Sequence, residues 1–450
     1  MSLPPGPRWP ASIQTVFLLV SGQPWMERVS RRHGDLFTLR TLIFGTQVFT
    51  SDPAIIQQMF TGDPDVLEAG KANSAALTLT GKSSVLVLDG AEHKRMRRLL
   101  MPPFHGERMN AYAEAMAAIT ERIAGRWDSK AAFPLLPSFQ RITLEVIVAS
   151  VFGLPEGPRR DLFSERLKAM MDRMATPSGA FFLIPSLQRD LGPLWPWRRL
   201  KAQFDELEAM IFDEIAQRRS ALADTSAPRR DDVLSMLLET RDEDGKGMSD
   251  REIRDQLLTL LAAGHETTAS SLAWAFERIL SHPDVLERLL AEISEAEARG
   301  KTSARDLAEL PYLDATIKEV LRQRPSVPML GRRLSRPMRV REYEIPAGAM
   351  LSASVYLTHR RPDLYPDPDV FNPDRFLGKK IDPYAYFPFG GGPRRCLGAA
   401  FATQEMKIVV GTVLRRHRLR LAGRPPLKIS PRSVFLAPEG GAKVVLEGAR

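Results

Sequence analysis

The chain contains one cysteine, Cys396, and its neighbours favour a reactive thiolate over an inert thiol. Glycines occupy positions 390–392 and 398, Arg394 and Arg395 lie between them, and a helix is predicted directly after the cysteine. Glycines allow a flat ligand to approach the backbone, while the arginines and the positive helix end lower the pKa of a thiol. A lone intracellular cysteine is more often a buried, inert side chain. These neighbours favour a metal-binding thiolate instead.

A second unusual pattern interrupts a long predicted helix. Ser249 and Glu252 form a capping box, and no proline follows until Pro283. The helix of about 32 residues would be about 48 Å long, enough to cross a domain. In its middle an apolar run gives way to the polar residues 265–268. Burying these side chains is unfavourable unless they find partners, so the segment is a candidate site.

Two other motif matches are incomplete. His265 and Glu266 begin a zinc-protease motif, but position 269 is alanine, so the second histidine ligand is missing. Residues 81–83 resemble the end of a phosphate-binding loop, but the required earlier glycine is Ala76. The chain also lacks a dinucleotide-binding Gly-x-Gly-x-x-Gly sequence. We therefore expect no reductase module within this chain.

Composition narrows the class of protein further. With 44% hydrophobic and 26% charged residues, the 450-residue chain is globular. A single cysteine excludes internal disulfides, cysteine zinc cages and ordinary iron–sulfur clusters, and it suits a reducing, cytoplasmic location. The apolar run at 13–20 is too short to span a bilayer, so we expect no membrane anchor. The net charge of +9 is dispersed along the chain and does not indicate nucleic-acid binding.

The periodicity of apolar residues predicts a mainly α protein with small β-rich parts. Alternating residues predict a hairpin at about 36–50 and further strands at about 330–356. Helical periodicity dominates 91–223, where an apolar loop at 175–197 interrupts it, and a final helix is predicted at 397–416. We expect residues 1–450 to form a single domain.

The segment from Phe389 through Cys396 to Gly398 resembles the haem-binding loop of the cytochrome P450 monooxygenases. Four further motifs resemble the same family and follow its order along the chain. They are the oxygen-activating sequence 263–268, the pair Glu319 and Arg322, the segment 371–376 that contains Arg375, and the pair His93 and Arg97. Histidine stands at 93 where many relatives have tryptophan.

This resemblance implies a cytochrome P450 fold with haem b between the long central helix and the cysteine loop. Cys396 would bind the iron, and Thr267 with Glu266 would deliver protons during oxygen activation. Glu319, Arg322 and Arg375 would form a buried structural network. Other residues implied to contact the haem are His93, Arg97, Arg332, Arg394, Phe389, Gly398 and Ala263.

The implied reaction inserts one oxygen atom of O2 into a lipophilic small molecule, whose identity the sequence leaves open. By analogy with the fold, the pocket candidates are Leu77, Leu86, Phe181, Phe182, Leu261, Ala262, Val327, Leu330 and Phe435.

We expect a monomer that receives electrons from an acidic ferredoxin with an NAD(P)H-dependent reductase. The predicted docking surface is formed by Lys94, Arg95, Arg98 and Arg395. The alternative interpretation is a peroxygenase or a haem-thiolate isomerase, and a third possible function is that of a haem sensor.

Overall fold

The computed structural model of the protein describes residues 2–104, 108–128, 131–174, 196–224, 230–432 and 435–450. Within these ranges the helices, numbered in chain order, are α1 (Ala11–His33), α2 (Pro53–Thr61), α3 (Ala69–Ala72), α4 (Leu77–Thr80), α5 (Gly90–Leu100), α6 (Arg108–Ala124), α7 (Leu136–Phe152), α8 (Pro158–Met174), α9 (Pro196–Ala223), α10 (Val233–Glu239), α11 (Asp250–Ser281), α12 (Pro283–Ala298), α13 (Ala304–Ala308), α14 (Pro311–Gln323), α15 (Val355–Thr358) and α16 (Ala399–Arg416). The strands are β1 (Leu36–Thr41), β2 (Gly45–Thr50), β3 (Leu67–Glu68), β4 (Phe133–Pro134), β5 (Met329–Leu334), β6 (Met338–Val340), β7 (Tyr343–Ile345), β8 (Met350–Ser354), β9 (His417–Leu421), β10 (Ile429–Arg432), β11 (Phe435–Pro438) and β12 (Lys443–Ala449).

The strands form small sheets beside a helical core. The largest sheet has the order β1-β2-β8-β5-β3, in which β1 and β2 form an antiparallel hairpin with Leu36 opposite Thr50. Strand β2 pairs in parallel with β8, which lies within the predicted β-rich region 330–356. The hairpin therefore joins the strands of that region in one sheet. Smaller groups are β4-β12-β9, β10-β11 and β6-β7. The predicted mainly α fold with small β sheets is confirmed.

Helix α11 crosses the core as the sequence predicts. The Glu252 amide donates to the Ser249 hydroxyl at 3.2 Å, and the Ser249 amide donates to the Glu252 carboxylate at 2.8 Å. The helix packs so closely on α7 that a Cβ at Gly264 would lie 2.4 Å from Ile147 Cδ1. Glycine at this position therefore allows the two helices to approach.

Helix α1 is longer than the sequence indicates. The sequence predicts only a short helix around residues 25–33. In the structure α1 begins at Ala11 and is broken at Gly22, whose φ of 47° and ψ of −125° are not helical. The first part of α1 is thus a separate short helix. None of the described helices combines the length and apolar character needed to cross a membrane.

Candidate active site

The loop before α16 holds Cys396 in a fixed backbone arrangement. The Cys396 amide donates to the Phe389 carbonyl at 2.9 Å. Gly390 and Gly392 adopt φ values of 69° and 61°, which side-chain-bearing residues rarely adopt. A Cβ at Gly392 would also lie 2.0 Å from the Phe60 carbonyl oxygen. The glycines predicted to allow a tight loop therefore do so, and they pack it against α2.

The Cys396 thiol faces a space inside the molecule. Protein surrounds it, and this burial raises the pKa of the thiol above its usual value. The Gly398 amide and the charges of Arg97 and Arg395 lower the pKa, as the sequence predicts, but burial outweighs them. The residue is nevertheless exposed. A Cβ added at Gly398 would meet no atom within 4 Å, which indicates open space beside the backbone two residues after the cysteine. This space is suited to a flat ligand that contacts the sulfur.

Four basic side chains gather on one side of this loop. Burial, followed by the charges of Arg394, Arg97 and Arg332, lowers the pKa of His93 to about 3. Arg332 is 7% exposed, and burial together with Arg394 lowers its pKa to about 10. One carboxylate accompanies them, because Asp89 lies 2.5 Å from Arg394. We call His93, Arg97, Arg332 and Arg394 the cation cluster; its positive charge comes from the three arginines and exceeds the single negative charge of Asp89.

The remaining partners of the cation cluster are few. Arg394 donates to the carbonyls of Val85 at 3.2 Å and Leu88 at 2.5 Å, and Arg332 donates to its neighbouring carbonyl, that of Gly331, at 2.9 Å. The side chains of His93 and Arg97 make no hydrogen bond or ion pair with any residue in the described ranges. Buried cations normally need anionic partners. The two propionates of haem would provide them, so the residues present fit this cofactor.

The middle of α11 also borders open space. Ala263 is exposed and Thr267 is half-buried, although most of the surrounding helix is buried. The Thr267 hydroxyl donates to the Ala263 carbonyl at 2.6 Å. In this structure the hydroxyl therefore lies back along its own helix, and it can reach a ligand in the open space by rotating about χ1.

Two further polar residues of this segment, His265 and Glu266, find partners on α7. The Glu266 carboxylate is 8% exposed and accepts a hydrogen bond from Gln140 at 2.8 Å. His265 Nδ1 lies 3.0 Å from the Thr143 hydroxyl. Sequence reasoning missed Gln140 and Thr143. Their spacing of three residues, which places both on one face of a largely apolar helix, is the signal that could have indicated them.

One short segment connects α11 with the cysteine loop. The Ser326 hydroxyl donates to the Thr267 carbonyl at 3.0 Å. Four residues later, Leu330 Cδ1 lies 3.3 Å from where a Cβ on Gly390 would stand. Five residues from 326 to 330 span at most about 14 Å between their end Cα atoms. Thr267 and the Cys396 loop are therefore close enough to border one ligand site.

The three residues of the predicted structural network lie together. Glu319 and Arg322 are both 0% exposed and share hydrogen bonds of 2.7 and 2.8 Å. Arg375 Nε lies 3.6 Å from Glu319 Oε1, and Arg322 donates to the His359 carbonyl at 2.7 Å. The network joins α14 to the chain segments that precede the cysteine loop.

The pocket candidates divide into four groups. Leu261 is 1% exposed and belongs to the core, because it is turned about 200° around α11 from the exposed Ala263. Leu261 therefore does not line the pocket. Leu77 is 40% exposed. Half-buried candidates are Leu86, Ala262, Val327, Leu330 and Phe435, as are the haem-contact candidates Phe389 and Gly398. Phe181 and Phe182 lie outside the described residues.

The basic face predicted on α5 is largely paired. Arg95 donates to Asp242 at 2.6 Å and to Glu252 at 3.0 Å, and Arg98 forms an ion pair with Glu243. These acidic residues are more than 140 positions away in sequence, so the α5 sequence alone could not indicate them. Two of the four residues of the predicted surface, Arg95 and Arg98, are therefore not free basic side chains, whereas Lys94 and Arg395 form no ion pair with a residue that the structure describes.

A cleft of about 450 Å³ lies instead on the outer side of the cysteine loop. Its basic lining residues are Arg305, Lys318, Arg395 and Lys407. Lys318 and Lys407 share Asp314 at 2.6 and 3.2 Å. Arg395 is exposed and forms no ion pair within the part of the chain that the structure describes. Arg305 pairs with Glu309, which also lines the cleft, so the unpaired positive charge next to Cys396 is that of Arg395.

Comparisons with known proteins agree with this site. The cytochrome P450 family model matches residues 4–446. Cytochrome P450 135B1 of Mycobacterium tuberculosis is 40% identical over 457 residues, which cover 100% of this chain and 92% of the relative. Cytochrome P450 138 of Mycobacterium bovis is 38% identical over 99% of this chain and 96% of the relative.

Solved structures show the same similarity. Retinoic acid-bound cyanobacterial CYP120A1 is 28% identical, with a TM-score of 0.82, over 99% of this chain and 100% of that chain. The haem domain of cytochrome P450DA shares the fold with a TM-score of 0.85 at 23% identity, over 100% of this chain and 98% of that chain. The chain belongs to the cytochrome P450 family, whose members are monooxygenases that bind protoporphyrin IX haem through a thiolate.

Proposed function

We propose that Cys396 is the thiolate ligand of haem b and that the cation cluster binds the two propionates. The observation that carries this assignment is an internal thiol that remains exposed beside the buried Arg332 and the half-buried Arg97 and Arg394, which share one carboxylate, that of Asp89. Phe389 and Gly398 would contact the ring on the cysteine side, and Ala263 would contact it from α11. Haem supplies electron transfer to O2 and C–H oxidation when it is bound.

Thr267 and Glu266 are proposed to deliver the protons that oxygen reduction consumes. The Thr267 hydroxyl can exchange its present acceptor, the Ala263 carbonyl, for a ligand or a water. The Glu266 carboxyl group, one residue along the helix and held by Gln140, would take up protons and pass them on. A positioned alcohol and acid together provide a proton route from the protein to the reacting oxygen.

The proposed substrate is a lipophilic small molecule that is hydroxylated or epoxidised, in the chemical range of fatty acids, terpenoids, steroids and macrolides. The half-buried side chains of Leu86, Val327, Leu330 and Phe435 offer apolar surface. Such surface favours an apolar substrate through burial and does not distinguish among these classes.

Replacing Thr267 with alanine tests the proton route. Alanine favours helix formation, so haem content and substrate affinity should barely change. Loss of a positioned proton donor typically lowers the rate by about 10² to 10⁴. We expect less product and more hydrogen peroxide for each NAD(P)H oxidised, while Thr267→Ser retains most of the coupling. A fully coupled Thr267→Ala enzyme would contradict the assignment.

The same assay separates the alternative enzyme classes. A monooxygenase consumes NAD(P)H and O2 in proportion to product, whereas a peroxygenase needs only hydrogen peroxide and an isomerase needs neither. We expect turnover with an electron donor and lipophilic compounds. Product formation without any donor would favour the alternatives, and absence of turnover across a broad library would favour a haem sensor.

The proposed electron donor is an acidic ferredoxin that docks in the cleft beside Arg395. Positive charge there steers a negatively charged partner, and salt screens this attraction. We expect the reduction rate to fall as ionic strength rises and to fall in Arg395→Gln. Arg98→Gln is the matched control, because Arg98 already pairs with Glu243. Equal effects of the two variants would contradict docking at the cleft.

A further inference from the structure

The first part of α1 has its polar and apolar sides reversed. Gln14 and Thr15 are 0% and 8% exposed, whereas Val16 and Val20 are 58% and 79% exposed. A surface helix ordinarily buries its apolar side and exposes its polar side. The opposite arrangement leaves apolar surface in water, which is unfavourable unless another surface covers it.

Hydrogen bonds fix this reversed orientation. The Gln14 side chain donates to the Trp9 carbonyl at 2.7 Å and accepts from the Arg40 amide at 3.0 Å. The Thr15 hydroxyl accepts from the Leu42 amide at 2.9 Å. The polar side of the helix is thus bonded to the hairpin of β1 and β2. The outward apolar side is therefore built into the fold.

Exposed apolar residues concentrate at this place. Of the eleven large hydrophobic residues that are exposed within the described ranges, seven belong to this helix, its N-terminal flank or the adjoining hairpin turn. We call these seven the apolar face: Trp9, Ile13, Val16, Leu19, Val20, Leu42 and Ile43. The Thr15–Leu42 hydrogen bond places the turn beside the helix, so the residues form one surface.

The only charged residues in the two segments that form the apolar face are arginines. Arg8 is the only charged residue among positions 1–26, and Arg40 is the only one among positions 36–51. Both arginines are exposed, and neither forms an ion pair with a residue that the structure describes. The acidic residues nearest to these segments in sequence already have partners: Glu27 accepts a hydrogen bond from Tyr356, and Asp35 accepts one from Arg341.

We propose that the apolar face docks on the surface of an anionic phospholipid membrane. A short helix with an outward apolar side lies in the headgroup region without crossing the bilayer. Unpaired arginines at its rim attract anionic lipids, and Trp9 suits the membrane interface. In a symmetric dimer through this face, Arg8 and Arg40 of one copy would approach those of the other. Like charges would oppose that association.

Cosedimentation of the holoenzyme with vesicles tests this docking. We expect binding to vesicles of phosphatidylcholine with phosphatidylglycerol, and weaker binding to phosphatidylcholine alone or in high salt. The double variant Val16→Asp/Val20→Asp should lower the partition coefficient at least about tenfold. The matched control is Val370→Asp, because Val370 is a comparably exposed valine, at 55%, outside the apolar face.

Haem content and the carbon monoxide spectrum establish that each variant is folded. Failure of the wild-type holoenzyme to bind anionic vesicles would overturn the proposal, as would equal binding by the double variant or equal loss in the control. A concentration-dependent dimer in sedimentation, abolished by the double variant and without vesicle binding, would assign the face to a second copy instead.

Discussion

Arg322 and Arg332 are both buried guanidinium groups, and they differ in what neutralises them. Arg322 has the Glu319 carboxylate at 2.7 and 2.8 Å, and it also donates to the carbonyls of His359 and Pro368. Arg332 has one carbonyl at 2.9 Å and a distant aromatic ring at 6.0 Å, and the like charge of Arg394 acts on it more strongly than the opposite charge of Asp89.

The difference distinguishes a structural charge from a ligand-binding one. A buried ion that the fold itself satisfies supports that fold, and its loss leaves an uncompensated partner. A buried ion that the fold does not satisfy costs stability until an anion arrives. On this basis the Glu319 network stabilises the protein, whereas the cation cluster needs carboxylates from outside the chain, such as the haem propionates, to balance its charge.

The largest expected effect follows from breaking the satisfied pair. Glu319→Ala leaves Arg322 buried without its carboxylate and should lower the free energy of unfolding by about 3–5 kcal/mol. Denaturant titration measures this change. Glu309→Ala is the control, because Glu309 pairs with Arg305 at the surface and its loss should change stability by less than about 1 kcal/mol. Similar losses in the two variants would remove the distinction.

An intermediate effect is expected at the unsatisfied arginine. Arg332→Gln removes a proposed propionate partner, and loss of one member of a buried charge pair is worth about 2 kcal/mol or more. Haem transfer to an acceptor protein should therefore accelerate by about 30-fold or more. Thermal stability of the haem-free protein should stay equal or rise, since an uncompensated buried charge is removed.

The neighbouring arginine provides the control for Arg332. Arg333 is half-buried and donates to the Gly348 carbonyl at 2.8 Å, outside the cation cluster. Arg333→Gln should leave haem transfer unchanged, and Arg332→Lys should restore part of the loss. A slower haem transfer in Arg332→Gln, or a strongly destabilised haem-free protein, would place Arg332 with the structural arginines.

The smallest effect concerns the pH dependence that the cation cluster imposes on His93. Its folded pKa of about 3 lies below the unfolded value of 6.5, so the unfolded chain binds more protons as pH falls below 6.5. Stability of the haem-free protein should therefore decrease between pH 7 and pH 5. His93→Gln should reduce this decrease by about 1–2 kcal/mol in denaturant titrations at the two pH values. An unchanged decrease would show that His93 is not held neutral.

Local sequence patterns predicted the elements well, because their causes lie within a few residues. The capping box of Ser249 and Glu252 acts over three positions, and the glycines around Cys396 act on adjacent backbone. Partners distant in sequence were not predictable in this way. Gln140 reaches Glu266 across 126 positions, and Asp242 reaches Arg95 across 147.

Helical register explains a further limit of the sequence. Leu261 and Ala263 are two positions apart and both apolar, but one lies in the core and the other is exposed. Only the packing of α11 against α7 decides which side borders the site. In the first part of α1 the usual burial of apolar residues and exposure of polar residues is reversed. Gln14 and Thr15 are buried there because they accept hydrogen bonds from the hairpin.

The central claim is that Cys396 supplies the thiolate to haem beside the cation cluster. The most direct measurement is the absorption spectrum of the reduced protein with carbon monoxide, for the wild type and for Cys396→His. We expect the strongly red-shifted Soret band of thiolate ligation in the wild type. In Cys396→His the haem should stay bound through the cation cluster, and the band should move to the shorter wavelength of a histidine-ligated haem. A red-shifted band that survives in Cys396→His would contradict the account.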